Sequence, residues 1–293
     1  MSCTICPRNC KIDRTAAKGF CGCSSMVRVA RAALHYDEEP SISGSRGSGT
    51  IFFSGCNLKC IFCQNMVLTD GTLGEICDVP RLVDIMLKLQ SLGAHNINLV
   101  TPTPHRDTLT EALRLAKENG LSIPVVYNTN AYETVETIRA FDGLVDIYLP
   151  DLKYVDPRLS LKFSRASDYF DTAIEAIGEM IRQVGFMQTD ADGIAKKGVR
   201  IRHLVLPRCV YDTRNVLDAI KDRFGVDCPI SLMSQFTPIP ECTIKPLDRP
   251  LTQREYENAL AYCISLGFTD VYTQDLTSVG RSFTPPFSDH LDL

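Results

Sequence analysis

From residue 50 onward, short apolar runs rich in β-branched residues alternate with amphipathic stretches that have the period of a helix. This alternation is typical of β-α units, in which consecutive strands form a parallel sheet. We therefore expect an α/β fold, a partial (β/α)6 TIM-like barrel whose functional groups lie at the C-terminal ends of the strands. The apolar runs predict six or seven strands: Ile51–Phe53, Ile97–Val100, Pro124–Tyr127, Asp146–Leu149, Val199–Leu206, Ile230–Met233 and, as the seventh, Val271–Thr273.

Four stretches between these runs have apolar residues at helical spacing. They predict a helix from Leu82 to Leu92 that stops at Gly93, a second from Leu109 to Ala116, a third over Tyr169–Val184, and a last helix opened by a capping box of Thr252 and Glu255. Cys263 lies in line with the apolar positions of the last helix, so we interpret it as a small core residue. Two polar stretches, 188–197 and 238–250, predict surface loops.

Composition narrows the functional classes. The chain has 293 residues, a formal net charge of −4 and a pI near 5.8, so its charge does not favour binding to nucleic acid. No apolar run approaches the roughly 20 residues of a transmembrane helix, and the N-terminus lacks the apolar core of a signal peptide. We expect a cytoplasmic protein that binds neither nucleic acid nor membrane.

Cysteine is unevenly distributed: eight of the 13 cysteines fall within the first 63 residues. In a reducing compartment, thiols stay free or bind metal instead of forming disulfides. We expect the two early clusters to bind metal and the five scattered cysteines to be core residues. The pattern predicts a Cys-rich metal-binding segment, residues 1–45, followed by the barrel, residues 46–293. The first cluster contains Cys3, Cys6, Cys10, Cys21 and Cys23, and the second contains Cys56, Cys60 and Cys63.

The second cluster follows directly on the first predicted strand, in the stretch TIFFSGCNLKCIFCQ. It offers three thiols, whereas a structural zinc site or a conventional iron-sulfur cluster takes four protein ligands. Three ligands leave one metal position open, which is a property of catalytic metal sites. The alternative is a zinc site completed by His105 or by a distant cysteine. Polar groups also follow the next three strands, at Thr101 to His105, Asn128 to Asn130 and Asp151 to Lys153.

The spacing Cys56-x3-Cys60-x2-Cys63, with Phe62 before the last cysteine, resembles the signature of the radical S-adenosylmethionine (radical SAM) superfamily. Beyond residue 50 the chain is similar to pyruvate formate-lyase activating enzyme-like proteins, in segments such as ISGSRGSGTIFFSGCNLKCIFCQN, NLVTPTPH and DIYLPDLKY. The resemblance implies a [4Fe-4S] cluster whose fourth iron is chelated by the amino and carboxylate groups of SAM. Reductive cleavage of SAM then yields a 5′-deoxyadenosyl radical that abstracts a hydrogen atom.

The resemblance also implies a SAM-binding set. Phe62 is expected near the adenine. Asn128, Asp151 and Lys153 match strand-end residues that contact SAM in glycyl-radical activating enzymes, except that those enzymes have an aspartate where this chain has Asn128. For Asp151 and Lys153, the alternative is a surface ion pair.

Four further residues complete the predicted SAM-binding set. Thr101 and Thr103 replace the Gly-Gly-Glu run that binds the SAM amino group in the resembling enzymes. Threonine hydroxyls and backbone carbonyls can accept a hydrogen bond from an ammonium group. The alternative for this stretch is a rigid proline turn without a ligand role. Arg202 and Gln235, at the ends of later strands, are the other two candidates.

The first cluster, Cys3-x2-Cys6-x3-Cys10-x10-Cys21, lies in a segment too short and polar to fold by hydrophobic burial. A bound metal would supply the missing core. Four thiolates fit either a structural zinc or a second [4Fe-4S] cluster that passes electrons. We predict these four cysteines as the ligands, with Cys23 in place of Cys21 as the alternative.

The sequence thus predicts a radical SAM enzyme, an oxidoreductase that abstracts a hydrogen atom. The substrate is either a glycine in a partner protein, as in the activating enzymes, or another molecule. The partner implied for reduction is an electron donor of the flavodoxin or ferredoxin type. The alternative is a non-catalytic iron-sulfur or zinc protein that acts as a scaffold or electron carrier.

Overall fold

A computed structural model describes residues 2–276, 285–291 and 293 of the chain. The strands are β1 (Val27–His35), β2 (Ser48–Phe53), β3 (Glu75–Cys77), β4 (Ile97–Val100), β5 (Val125–Thr129), β6 (Ile147–Pro150), β7 (Gln188–Thr189), β8 (Ala195–Val199), β9 (Ile201–Leu204), β10 (Ile230–Met233) and β11 (Val271–Thr273). The helices are α1 (Pro40–Ser43), α2 (Val79–Ser91), α3 (Arg106–Glu118), α4 (Val135–Arg139), α5 (Pro157–Ser164), α6 (Tyr169–Val184), α7 (Val210–Phe224) and α8 (Gln253–Leu266). Short 3₁₀ turns cover Met66–Leu68 and Thr103–His105.

Parallel pairing in chain order builds the barrel. Strands β2, β4, β5 and β6 are parallel neighbours in one sheet, and β9, β10 and β11 form a second parallel sheet. A parallel bridge between Asp151 and Arg202 joins the two sheets between β6 and β9. Within the described residues β11 pairs only with β10, so the barrel stays open on that side. The predicted α/β partial barrel is therefore confirmed.

The predicted helices are confirmed, and each has a physical boundary. Asp78 caps α2 by accepting a hydrogen bond from the backbone N–H of Arg81. Helix α6 spans the predicted Tyr169–Val184 and ends where the chain turns at Gly185. The capping box of Thr252 and Glu255 opens α8, whose Cys263 is fully buried, as expected. None of the helices in the described ranges is long and apolar enough to cross a membrane.

Two details of the strand prediction are wrong. The polar stretch 188–197 is not a simple loop, because an antiparallel hairpin of β7 and β8 occupies most of it. The predicted strand Val199–Leu206 is interrupted at Arg200, where the chain leaves β8, the neighbour of β6, and enters β9, the neighbour of β10. Arg200 is buried and forms an ion pair with Asp270, which fixes it at this transition.

Strand β1 has no counterpart among the predicted elements. It lies inside the first 45 residues and pairs antiparallel with β2, so this part of the predicted metal-binding segment belongs to the main sheet. The short helix α1 follows it and buries Ile42 among Val126, Ile147 and Leu149. The connection between β1 and α1 thereby carries Glu38 and Glu39 to the barrel strands.

Candidate functional site

The three-cysteine loop begins where β2 ends. The Ser54 N–H donates to the carbonyl of Arg28 on β1, and the Gly55 N–H donates to the carbonyl of Leu68. Gly55 has a φ of +95°, a backbone conformation that side chains with a Cβ rarely adopt. These bonds turn the chain sharply out of the strand and present Cys56, Cys60 and Cys63 at the C-terminal end of the barrel.

Hydrogen-bond donors contact the sulfurs of Cys56 and Cys60. Cys56 Sγ accepts from the backbone N–H groups of Leu58 and Lys59 at 3.4 and 3.5 Å and lies 3.7 Å from Asn130 Nδ2. Cys60 Sγ accepts from the Ser164 hydroxyl at 3.0 Å. Donors of this kind stabilise thiolates and tune iron-sulfur clusters.

Six predicted side chains meet Cys60 and Cys63 at one cavity at the ends of the strands. Asp37, Glu38, Glu39, Gln64 and Gln274, which sequence reasoning missed, also line it. Phe62 is buried beside Phe236, with ring centroids 5.9 Å apart. The predicted residues that line the cavity are Phe62, Asn128, Asp151, Lys153, Arg202 and Gln235.

Asp151 and Lys153 form an ion pair with 2.5 Å between Oδ2 and Nζ. Their side chains are only 23% and 15% exposed, so the pair is not the surface ion pair of the alternative interpretation. Burial alone would lower the pKa of Lys153, but attraction to Asp151 outweighs this and raises it above its usual value. Lys153 therefore stays a cation beside the Cys60 sulfur.

Arg202 is held between two glutamates at the side of the cavity. Its Nε donates to Glu39 Oε1 at 2.8 Å, its Nη1 donates to Asn128 Oδ1 at 3.1 Å, and its Nη2 forms an ion pair with Glu38. Burial raises the pKa of Glu39, but attraction to Arg202 outweighs it and lowers the pKa to about 2. Glu39 and Arg202 are thus both charged at neutral pH. The sequence shows two adjacent glutamates before Pro40, but nothing in it indicates that they contact Arg202.

The predicted ligands Thr101 and Thr103 lie elsewhere and are not among the residues that line the cavity. Thr103 is fully buried, and its hydroxyl donates to Glu133 at 2.5 Å. Glu133 also accepts from Thr129 and Tyr127, and burial raises its pKa to about 7. This network ties the loop after β4 to the loop after β5, so Thr103 acts here as a structural group.

His105 contacts the backbone just before the cysteine loop. Its Nε2 lies 2.9 Å from the Ser54 carbonyl, to which it donates, and 3.9 Å from Cys23 Sγ. Burial lowers the pKa of His105 to about 4, so the ring is neutral. Cys23 is buried at this position, with its Sγ 3.4 Å from the Ser54 carbonyl.

The N-terminal cysteines lie next to the loop. Cys3, Cys6, Cys10 and Cys21 line one small pocket, whereas Cys23 does not. The backbone N–H of Cys56 donates to the carbonyl of Cys21 at 3.1 Å, so the two cysteine clusters are in direct contact.

The chain is similar in sequence to known proteins. The protein named Uncharacterized protein MJ0674, from Methanocaldococcus jannaschii, is 31% identical over 269 residues, which cover 88% of this chain and 73% of that protein. The family model described as the radical SAM superfamily matches residues 50–189. The chain belongs to the radical SAM superfamily. Membership implies an enzyme that uses a [4Fe-4S] cluster and SAM.

Solved structures of other proteins share this fold. Streptococcus suis SuiB bound to precursor peptide SuiA aligns with a TM-score of 0.54 and 16% identity, over 75% of this chain and 46% of that one. The protein anSMEcpe with bound AdoMet aligns with a TM-score of 0.54 and 14% identity, over 75% of this chain and 61% of that one. The chain thus matches about half the length of such structures, and at these identities the likeness concerns the fold alone.

The residues present fit the cluster that the radical SAM superfamily implies. Burial raises the pKa of Cys60 to about 11 and of Cys63 to about 12, so these sulfurs become thiolates only when a cation compensates them. Among the described residues no group of His, Cys, Asp and Glu could hold a single metal ion. A [4Fe-4S] cluster needs no such convergence, because each thiolate binds a different iron.

Gly55 packs closely against Cys23 of the N-terminal segment. A Cβ at this position would lie 2.0 Å from Cys23 Sγ, so Gly55→Ala forces the two segments apart. Overpacking of this kind costs about 1–3 kcal/mol beyond the strain of a positive φ. Gly93→Ala is the matched control, because Gly93 has a φ of +92° and nothing within 4 Å of its added Cβ. Anaerobic thermal unfolding should show a clearly larger loss for Gly55→Ala, and equal losses would refute the contact.

Proposed function

We propose that this chain cleaves SAM reductively at a cluster held by Cys56, Cys60 and Cys63, and uses the 5′-deoxyadenosyl radical to abstract a hydrogen atom from a polypeptide, with glycine of a partner protein as the first candidate. The observation that carries the proposal is the shared cavity: Cys60 and Cys63 open onto the same space as Asp151, Lys153 and Arg202. The cluster, when bound, supplies the single electron that breaks the carbon-sulfur bond of SAM.

The charged side chains have distinct roles in this proposal. Lys153, kept cationic by Asp151, lies close enough to the Cys60 thiol to favour its thiolate form. Arg202 is already neutralised by Glu38 and Glu39, so its function is to hold Asn128 in position and not to bind a free carboxylate. Phe62 and Phe236 form an apolar wall against which an adenine can pack.

Neutral amide groups support a polypeptide as the substrate. Gln64, Gln235 and Gln274 line the cavity, and Gln274 Nε2 donates to Gln235 Oε1 at 2.9 Å. Side-chain amides both donate and accept, which suits the N–H and C=O groups of an extended chain. Among the structural neighbours, SuiB is bound to a precursor peptide, and anSMEcpe, with a TM-score of 0.50, is bound to AdoMet and the Cp18Cys peptide.

Deuterium transfer tests the proposal. Anaerobically reconstituted protein, a chemical reductant and SAM are mixed with candidate partner proteins whose glycines carry α-deuterium. We expect deuterium in the 5′-deoxyadenosine and a glycyl-radical EPR signal on the partner. Formation of 5′-deoxyadenosine without deuterium from any candidate would reject glycine as the hydrogen donor. Failure to form 5′-deoxyadenosine with an intact, reduced cluster would reject the enzyme and favour an electron carrier or scaffold.

A further inference from the structure

The four N-terminal cysteines line a small pocket, and Gly19 lies in the same lining. A methyl group placed on Gly19 would lie 3.3 Å from Cys10 Sγ and 3.5 Å from Cys21 Sγ, so a larger residue at position 19 would fill the space between the sulfurs. Cys3 and Cys6 complete the lining of the same pocket. Four thiolates around one pocket suit either a [4Fe-4S] cluster or a structural zinc. Contact with the three-cysteine loop favours the cluster, because zinc does not transfer electrons.

Arg14 provides an independent indication of a ligand. Its Nη1 and Nη2 donate to the carbonyls of Pro104 and Ser24 at 2.5 and 2.6 Å, which fix the guanidinium beside the pocket. Its Nε is buried and has no hydrogen-bond partner among the described residues. A buried N–H without an acceptor costs about 1–3 kcal/mol, so such groups rarely persist without a partner. The sulfur atoms of a bound cluster would serve as the acceptor.

A backbone hydrogen bond joins the pocket to the three-cysteine loop. Cys21 belongs to the pocket, and its carbonyl accepts a hydrogen bond from the N–H of Cys56. Arg8 adds a second connection, because its Nε donates to the carbonyl of Asn57 at 2.8 Å and its Nη2 donates to that of Ser164 at 3.1 Å. A metal group in the pocket would therefore lie beside the one held by the loop.

We infer that Cys3, Cys6, Cys10 and Cys21 hold a second [4Fe-4S] cluster through which the electron for SAM cleavage enters. A one-electron carrier is oxidised, the second cluster is reduced by one electron, and that electron passes through the Cys21–Cys56 contact to the cluster of the loop. Each SAM cleaved consumes one electron, so the balance closes with the carrier as reductant. This inference rests on the proposed function.

The charge of the N-terminal segment indicates which carrier fits. Residues 2–25 contain four basic residues, Arg8, Lys11, Arg14 and Lys18, against one acidic residue, although the whole chain has a net charge of −4. Lys11 and Lys18 are exposed, and Lys11 is adjacent to Cys10. Opposite charges steer association and position the partner. The surface therefore suits an acidic one-electron carrier.

Metal analysis of paired variants tests the assignment. The anaerobically reconstituted full chain should contain about eight irons, and Cys21→Ala and Cys10→Ala should each retain about four. Cys23→Ala, which removes a neighbouring sulfur outside the pocket, should retain all of them. One zinc per chain in place of half of the iron, or loss of iron in Cys23→Ala, would overturn the inference.

Two spectroscopic readouts keep the inference falsifiable if a cysteine variant folds poorly. The fully reduced protein should give an EPR spectrum broadened by coupling between two neighbouring clusters, and Arg14→Leu should shift the reduction potential of one cluster to a more negative value. An EPR spectrum without coupling between two clusters, or an unchanged reduction potential in Arg14→Leu, would contradict two neighbouring clusters.

Reduction by an acidic carrier tests the entry route. Lys11→Glu/Lys18→Glu should slow SAM cleavage driven by an acidic protein carrier and leave cleavage driven by a small chemical reductant unchanged. Equal rates of carrier-driven cleavage in the variant and in the unaltered protein would overturn the relay. If the unaltered protein does not cleave SAM even with the chemical reductant, the proposed function itself is overturned.

Discussion

Cys60→Ala is expected to abolish the formation of 5′-deoxyadenosine from SAM while leaving the iron of the N-terminal cysteines in place. Cys60 supplies one of only three thiolates in the loop, and its sulfur is positioned by Ser164 at 3.0 Å beside Lys153. With two thiolates remaining, the loop cannot retain a cluster that has one iron open to SAM. The measurement is chromatographic detection of 5′-deoxyadenosine under reducing, anaerobic conditions, together with an iron count.

The matched control is Cys263→Ala. Cys263 is fully buried on α8, so its replacement removes one thiol of the same kind from the core, away from either cluster. We expect iron content and SAM cleavage to match those of the unaltered chain. If Cys60→Ala still cleaves SAM, the loop is not the site, and if it loses all iron, the cysteines have been divided wrongly between two clusters.

Arg202→Leu is expected to destabilise the protein by about 3–5 kcal/mol, because it leaves two buried glutamates without their cation. The side chains of Arg202, Glu38 and Glu39 are only 11%, 11% and 9% exposed. The midpoint of anaerobic thermal unfolding measures the loss. Arg223→Leu is the control, since the ion pair of Arg223 with Glu175 is more than half exposed and contributes at most about 1 kcal/mol.

The pH dependence has a definite sign. The pKa of Glu39 is lowered to about 2, below the value of about 4.3 for an unfolded glutamate. Its contribution is therefore fully present above about pH 4.3 and is lost as the pH falls towards 2. The loss of stability caused by Arg202→Leu should therefore become smaller as the pH falls from 7 towards 2. At pH 7, adding Glu38→Gln and Glu39→Gln should recover much of the lost stability. No recovery would mean that the arginine acts through packing and not through charge.

Periodicity predicted the barrel well because strands β2, β4, β5 and β6 are largely buried on both faces, and the helices between the strands have one apolar face. It failed where pairing partners determine the structure. The stretch 188–197 is polar, yet it forms a hairpin because β8 is the parallel neighbour of β6. Strand β1 was missed because it is specified by its antiparallel pairing with β2 and not by an alternation of strand and helix.

The candidate site was predictable to the extent that chemistry is local in sequence. Cys60 and Cys63 of the loop, with Asp151 and Lys153, come from segments that follow strands, and these four residues meet at one cavity. Glu38 and Glu39 were not predictable, because a connection before the barrel brings them to Arg202, more than 160 residues away in sequence. Thr101 and Thr103 were predicted by correspondence with other enzymes. In this chain the Thr103 hydroxyl instead donates a hydrogen bond to Glu133.

The central claim is that the three-cysteine loop leaves one iron open to SAM. Electron-nuclear double resonance of the reduced protein with SAM labelled at its amino nitrogen and carboxylate oxygens tests it most directly. We predict hyperfine coupling from both labels to the cluster of the unaltered chain, and none in Cys60→Ala. A reduced cluster that shows no coupling to either label, in protein that binds SAM, would contradict the account.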